Sequence, residues 1–506
     1  MANTFMTALK NDANKTLTEN GATTYKSTMS GLLDLFALGG AYRSRSDNDC
    51  IFLFKKAFDE DPAYALKCLF YLRDVRGGQG ERRFFRVVTK WLADNETEAM
   101  RRNLGYVSEF GRWDDLYTFV GTRLEKDAFA AIRKQLELDV QCKAPSLLAK
   151  WLKSENASSR ETAWLGNKTR QYLGMSHRQY RKTLSILRER IRVLERLMSA
   201  NRWDEIEFDK IPSKAGLVYK NAFARRDIIK EKYKAFAEDK TTKVNAKALY
   251  PYEIVKQAMA YGGYGWYYGR PSNDPTDRAM LEKYWDNLAD YFNGCSFNGI
   301  CVADTSGSMY GDPMAVALSI AMYCAEKNTG PFADHFFTFS IHPDFVRVEG
   351  TDFVDKVVRM SQADWGNSTN VEAVFEKMLN IACDNHCSQD EIPQSVIIIS
   401  DMEFNACVTS GAETRRDRWG YTKYNVADET LFEMIEKRWQ SAGYKMPNLI
   451  FWNVNARQDN IPMKVNGHVS YVSGFSPVIF EQVLKGVTAY DLMFDKLDSE
   501  RYACIH

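Results

Sequence analysis

Long apolar runs are missing from this 506-residue chain. No stretch approaches the ~18 apolar residues that a membrane span needs. The opening M-A-N-T-F-M-T-A-L-K lacks a signal-peptide pattern, so a soluble, cytoplasmic protein is expected. The ten cysteines show no regular framework, and Cys68, Cys301 and Cys324 sit in apolar runs, which suits reduced, buried thiols. Cys383, His386 and Cys387 stand together as C-D-N-H-C, but no second pair completes a zinc site. The six histidines form no metal-spaced pair on a helix. There is no G-x-x-x-x-G-K-[ST] phosphate loop and no nucleophile paired with a base, which argues against an enzyme.

What the chain does have is length for two or more domains, and charge that is unevenly placed. The net charge of +1 hides it. Between Gln141 and Ala235 stand 22 Lys and Arg against 10 Asp and Glu, whereas from Tyr291 onward 17 basic residues face 28 acidic ones. A basic block beside an acidic domain implies different partners for the two.

The first forty residues are polar and hydroxyl-rich up to Gly31, which reads as a loosely held start. From Cys50 to about Ala235 apolar residues recur at three and four spacing, broken at Asp61-Pro62, Gly77-Gly78, Gly105 and Gly111. Short helices with tight breaks predict stacked helical hairpins, as in a solenoid or ring. The clearest helix is expected over Ser176 to Ala200, where Tyr180, Leu184, Leu187, Ile191, Leu194 and Met198 make one apolar stripe. Beside that stripe fall Arg178, Arg181, Arg188, Arg192 and Arg196, with Lys150, Lys153, Lys168 and Arg170 as neighbours. The row either follows a nucleic-acid backbone or is a solvated face partly neutralised by Glu189 and Glu195. Tyr261 to Arg270 (Y-G-G-Y-G-W-Y-Y-G-R) packs aromatics and glycines into one stretch, which either stacks on unpaired bases or wedges between domains.

From Gly299 onward the pattern alternates between strand and helix, the mark of a parallel sheet covered on both faces. Ile300 to Ala303 stops at Asp304, followed by Ser306 and Ser308, and Val396 to Ser400 stops at Asp401. Between them W-G-N-S-T-N, Trp365 to Asn370, opens another helix. Asp304, Ser306, Ser308, Thr369 and Asp401 thus offer oxygens alone from the carboxyl ends of parallel strands, the donor type that suits Mg²⁺ or Mn²⁺. Ser368 competes with Thr369 for the third hydroxyl. Taken alone, the first triplet also reads, less favourably, as a helix cap.

This ordered set resembles the metal-ion-dependent adhesion site of von Willebrand factor A domains. The resemblance implies that the serines and threonine bind the ion directly or through water, that the aspartates act largely through water, and that one position stays open for a partner's carboxylate. Further stretches cover nearly the whole chain in order, among them L-R-D-V-R-G-G-Q-G-E-R (Leu72 to Arg82), G-R-W-D-D-L (Gly111 to Leu116), K-W-L-K-S-E-N-A-S-S (Lys150 to Ser159), D-T-S-G-S-M (Asp304 to Met309) and S-D-M-E-F (Ser400 to Phe404). Together they resemble the Ro autoantigen family, in which a ring of HEAT-like helical repeats, the TROVE module, joins an A domain. The match is closer to Ro-like relatives labelled only as a domain of unknown function. The implied architecture is a TROVE-like helical-repeat domain over 1–290 and an α/β von Willebrand factor A-like domain over 291–506. The implied function is that of a non-enzymatic ribonucleoprotein component. It would bind small non-coding or misfolded RNA through a basic ring and recruit an acidic protein partner through Mg²⁺ (or Mn²⁺). The alternative is an adaptor for an ATPase or other protein machine, without RNA binding.

Overall fold

The computed structural model describes all residues except 1–2, 247, 273, 293, 295, 340–342, 362–368, 407–414, 417–421, 424–425, 428, 466 and 485–486. Packing divides the chain into two units, neither continuous in sequence. One joins Met1–Cys68 to Leu249–Ser499, and the other joins Leu69–Ala248 to Glu500–His506. These units cut across the linear division into 1–290 and 291–506. The reason is long-range packing that local sequence patterns do not carry.

In the first, α/β unit, the apolar runs become strands. After a helix, Thr4–Ala13, comes a small antiparallel hairpin, β1 (Lys15–Leu17) and β2 (Thr23–Tyr25). The main sheet is built from β3 (Gly299–Asp304), β4 (His335–Phe339), β5 (Asp344–Arg347) and β6 (Ser395–Ser400). After the two-residue strands β7 (Arg415–Arg416) and β8 (Thr422–Lys423), it continues with β9 (Asn448–Asn453) and β10 (Val469–Ser473). Its order is β10-β9-β6-β3-β4-β5. Neighbours run parallel except β5, which pairs antiparallel with β4 at the edge. Every residue of β3 and β6 is buried, as strands covered on both faces must be.

The expected combination of a helical region and an α/β region is present, but the chain's start is not loose. Ala22 to Tyr25 are buried, and the helix Gly31–Leu38 has seven buried residues. Just beyond it the Gly40 amide donates to Ser473 Oγ at 3.0 Å, and that hydroxyl donates to the Phe36 carbonyl at 3.0 Å. The polar letters here are threonines and serines satisfied by distant parts of the same unit, which a local reading of hydrophilicity cannot foresee.

The second unit is helical. Leu72 to Arg82 and Gly111 to Leu116 contribute to a buried ion network: Arg73 donates to Asp115 at 2.7 and 2.9 Å, Arg86 reaches both Asp114 and Asp115, and Arg112 donates to Asp114. Arg501 and Tyr502 close on Asp74. Two glycines are forced by close approach. A Cβ on Gly78 would lie 1.9 Å from the Tyr71 carbonyl oxygen, and one on Gly111 2.4 Å from Asp115 Oδ2. These motifs therefore serve the fold.

The single helix expected over Ser176 to Ala200 is in fact two, His177–Arg190 and Leu194–Ser199. Arg192 adopts a left-handed conformation with φ +49°, the Val193 amide bonds back to the Arg188 carbonyl, and the Arg192 amide to that of Glu189. That pair of bonds is a Schellman ending. Because no glycine marks it, the apolar stripe reads straight through the break.

Candidate metal centre

Chain order along the sheet fixes where the site lies. From β3 the chain passes first to β4 on one side and later to β6 on the other, so a crevice opens at the carboxyl ends of β3 and β6. Ala303 stands opposite Ile399, which brings the two loops that follow side by side. Ser400 Oγ donates to Asp304 Oδ2 at 2.5 Å, and the Ser306 amide donates to Asp304 Oδ1 at 2.9 Å. The hydroxyls of Ser306 and Ser308 lie 3.1 Å apart.

The capping alternative for this triplet does not hold. The next α-helix is Asp312–Lys327, its N-cap is Gly311, and no side chain caps it. Nor does Ser306 cap the short 3₁₀ turn Gly307–Met309. Helix capping therefore does not account for the serines.

Thr369 and Asp401 come to the same crevice from two other loops. Thr369 is buried just before the helix Val371–Asp384, and its carbonyl accepts from the Asn405 amide at 3.1 Å, which ties it to the loop after β6. Ser368, the alternative ligand, lies outside the described residues. Asp401 is 1 % exposed; its Oδ1 accepts from the Glu403 amide, whereas its buried Oδ2 has no hydrogen-bond partner. Between Asp401 and Glu403, Met402 takes φ +64°, a conformation costly for a side-chain-bearing residue.

The electrostatics of this crevice are unbalanced. Burial, reinforced by the neighbouring Asp401, pushes the Asp304 carboxyl up to about 7. Burial likewise raises Asp401 and pushes Glu403 up to about 7. Buried carboxylates this close hold protons unless a cation replaces them.

The residues fit a hard divalent ion. All the donors are oxygens, and one buried carboxylate oxygen has no hydrogen-bond partner. Neighbouring ligands of an octahedral Mg²⁺ with bonds of about 2.1 Å lie roughly 3 Å apart, close to the observed separation of the two serine hydroxyls. Among the described residues no group of three or more His, Cys, Asp or Glu is placed to hold a metal, so any ion here depends on the hydroxyls.

Sequence reasoning missed the surround of this site. Glu403, fully buried, accepts from the Glu19 amide at 2.7 Å and from Asn460 Nδ2 at 2.9 Å. Asn20 Nδ2 donates to Thr369 Oγ1 at 3.1 Å and to the Glu403 carbonyl at 2.5 Å. Arg457 pairs with Glu19 at 2.5 Å and stands 4.0 Å from Asp401 Oδ2. The acid two residues after Asp401 in S-D-M-E-F was the visible signal; nothing local marked Glu19 or Asn20.

The aromatic stretch lies within the α/β unit, against the loop after β3. Tyr268 donates to the Gly311 carbonyl at 2.7 Å, and Tyr267 meets Tyr310 edge-on at 5.6 Å. Tyr267 and Tyr310 remain 48 % and 39 % exposed, two rings beside the serine loop.

In the helical unit the basic residues are mostly engaged. Arg188 donates to the carbonyls of Ala149 and Leu152 and to Ser154 Oγ. Lys168 pairs with Glu125, Arg170 with Glu155, Arg192 with Glu207, and Arg196 with Glu189 and Ser185. Lys150 and Lys153 lie over Trp151 and Tyr117, and Arg181 donates to the His177 carbonyl. Arg178 is exposed and makes no ion pair among the described residues. The helix break falls within the expected row, with Arg178, Arg181 and Arg188 on the first helix, Arg192 at the break and Arg196 on the second helix. Three of them, Arg181, Arg188 and Arg196, line a cavity of about 270 Å³. Charge nevertheless segregates with packing: the helical unit holds 39 Lys and Arg against 25 Asp and Glu, and the α/β unit 28 against 41.

Comparison with known proteins gives two family matches. The profile described as Domain of unknown function (DUF2828) covers residues 18–144 and 139–293, and Domain of unknown function (DUF7788) covers 298–500. An uncharacterized protein of Acanthamoeba polyphaga mimivirus is 30% identical over 517 residues, spanning 93% of this chain and 85% of that protein. A crystal structure of the Deinococcus radiodurans RO (RSR) protein aligns with a TM-score of 0.48 at 13% identity, over 94% of this chain and 100% of that one. No described helix is long and apolar enough to cross a membrane.

Proposed function

The chain belongs to the family described as Domain of unknown function (DUF2828), whose description assigns no activity, and from its own residues we propose that it is a non-enzymatic, metal-dependent binding protein. Its α/β unit is read as a von Willebrand factor A-like module in which Asp304, Ser306, Ser308, Thr369 and Asp401 hold Mg²⁺ or Mn²⁺. The observation that carries this is the buried Oδ2 of Asp401, which has no hydrogen-bond partner and only Arg457 at 4.0 Å, in the same crevice as the two serine hydroxyls. An ion bound there would supply a positive centre to a partner's carboxylate. Ser306 stands where a phosphatase built on a similar strand end would need a second carboxylate, which favours binding over catalysis. Tyr267 and Tyr310 are the half-exposed rings that interface cores favour.

The helical unit is read as a TROVE-like repeat module that binds small RNA in the cytoplasm. Its support is the excess of basic over acidic residues, which suits phosphate contacts. A second reading, a protein-binding adaptor without RNA, is favoured by the internal partners of most of the named arginines. Calorimetric titration with Mg²⁺ tests the first surface: heat is expected in the native protein and none in Asp304→Ala that remains folded. Undiminished heat in that variant refutes the assignment. Binding of a labelled small RNA across a salt series tests the second; no affinity at low salt leaves the adaptor reading.

A further inference from the structure

The N-terminal hairpin does more than cover the candidate metal centre. Its tip, residues 18–22, is fastened to the loop after β6 by four hydrogen bonds, one of them part of a β-bridge. The Thr18 hydroxyl donates to the Phe404 carbonyl at 2.7 Å, the Glu19 amide to Glu403 Oε2, and Asn20 Nδ2 to the Glu403 carbonyl. The Ala406 amide donates to the Asn20 carbonyl at 3.0 Å, and Gly21 bridges to Asn405. Asn20 also reaches a proposed ligand directly, at the Thr369 hydroxyl.

This docking sets one carboxylate at the rim of the site. Glu19 is held between two members of the set: its neighbour Asn20 binds Thr369, and its own carboxylate shares Arg457 with Asp401. The Arg457 guanidinium therefore spans an exposed acid and the buried oxygen of Asp401 that has no hydrogen-bond partner. A divalent ion taken up by Asp401 repels that guanidinium and attracts the acid it leaves.

Resting on the metal-binding reading, we infer that Glu19 is an intrachain ligand of the metal centre. When the site is loaded, its carboxylate takes the position that an external acidic partner would otherwise occupy. The hairpin is then a built-in competitor. A partner's carboxylate gains access only in the fraction of molecules whose Glu19 has let go, and its apparent affinity is reduced by that fraction.

The test uses the full chain and Glu19→Gln, which keeps the backbone amide that Glu403 accepts and removes only the charge. Calorimetry first measures Mg²⁺ binding in both. Hydrogen exchange is then followed at the amides of residues 18–22 in chelator and in saturating Mg²⁺. The expected result is that Mg²⁺ slows exchange there about tenfold in the native chain and much less in Glu19→Gln, since the Glu19 carboxylate is the main coupling between hairpin and ion. Glutarate, added as a free carboxylate probe, should bind the Mg²⁺-loaded variant about tenfold more tightly than the loaded native chain.

Equal slowing in both proteins overturns the proposal, because the hairpin would then sense the ion through Thr369 alone. So does equal glutarate affinity. Absence of Mg²⁺ heat in the native chain overturns the metal reading itself, and this inference with it, and is distinguished by appearing at the first step.

Discussion

Replacing Asp304 by Asn separates the metal reading from any purely structural role. The side chain is fully buried and accepts from the Ser306 amide and from Ser400 Oγ. Asn keeps an oxygen for the amide, and the Ser400 hydroxyl can turn to accept from the new NH₂. It also removes a buried negative charge next to Asp401, so in chelator the variant should be at least as stable as the native chain. With metal the order reverses. At a free Mg²⁺ concentration of about 100 times the dissociation constant, the native fold gains roughly 2.7 kcal/mol and the variant almost nothing. The α/β unit has about 320 residues, and at roughly 2.1 cal/mol/K per residue its unfolding entropy is about 0.7 kcal/mol/K. The gain should therefore appear as a rise of about 4 °C in the midpoint of that unit's thermal transition, present in the native chain and absent in Asp304→Asn. Calorimetric scans with and without Mg²⁺ read it directly. A native midpoint that ignores Mg²⁺, or a variant that responds equally, refutes the reasoning.

Three further outcomes follow from other parts of the structure. The carboxyls of Asp304 and Glu403 lie near 7, above their unfolded values, so the stability they contribute is present in full below about pH 4 and is lost as the pH rises through about 7. In chelator the thermal midpoint should fall between pH 5 and 8, whereas Mg²⁺ affinity should rise over the same window because the ion needs deprotonated ligands; a flat profile in chelator contradicts the assigned burial. Arg188→Ala leaves the Ala149 and Leu152 carbonyls without their donor and should cost about 1–3 kcal/mol in the helical unit, measured by denaturant unfolding. If RNA binds, Arg178→Glu with Arg181→Glu should weaken all sequences alike and flatten the salt dependence, whose slope falls by about 0.7 for each single-strand phosphate that is no longer neutralised; an unchanged slope places RNA elsewhere.

What the sequence disclosed and what it concealed divide along the range of the interactions. Strands β3 and β6 were legible because strands buried on both faces are unbroken apolar runs, and each run stops at or just before an acid, Asp304 or Asp401. Thr369 was legible only because a hydroxyl stood before a helical pattern. The hairpin was not, since its partners lie some 350 to 390 residues away along the chain. Its threonines look solvent-seeking until Phe404 and Ile461 offer them carbonyls. The broken arginine helix failed for a local reason: Arg192 enters the left-handed region without the glycine that usually announces it. Strand β5 was overlooked because only alternate positions are covered and charged residues stand at both ends, as expected of an edge.

The charge balance of the crevice argues for a cation more strongly than any single distance does. Asp304, Asp401 and Glu403 are each at most 1 % exposed, and Glu19 sits at their rim. Among the described residues Arg457 is the cation that reaches this group, contacting Glu19 and standing 4.0 Å from Asp401. One half-exposed guanidinium cannot neutralise three buried carboxylates, and burying an unpaired charge costs several kcal/mol. The fold has two ways to meet that cost. It can keep protons on Asp304 and Glu403, as their raised positions near 7 indicate, or it can admit a divalent ion. A purely structural loop needs neither, because an uncharged hydroxyl or amide at each position would satisfy the Ser306 and Glu403 amides as well. Acids where neutral groups would suffice, strain at Met402 and an Asp401 oxygen without a hydrogen bond are together the grounds on which the proposed cation site rests.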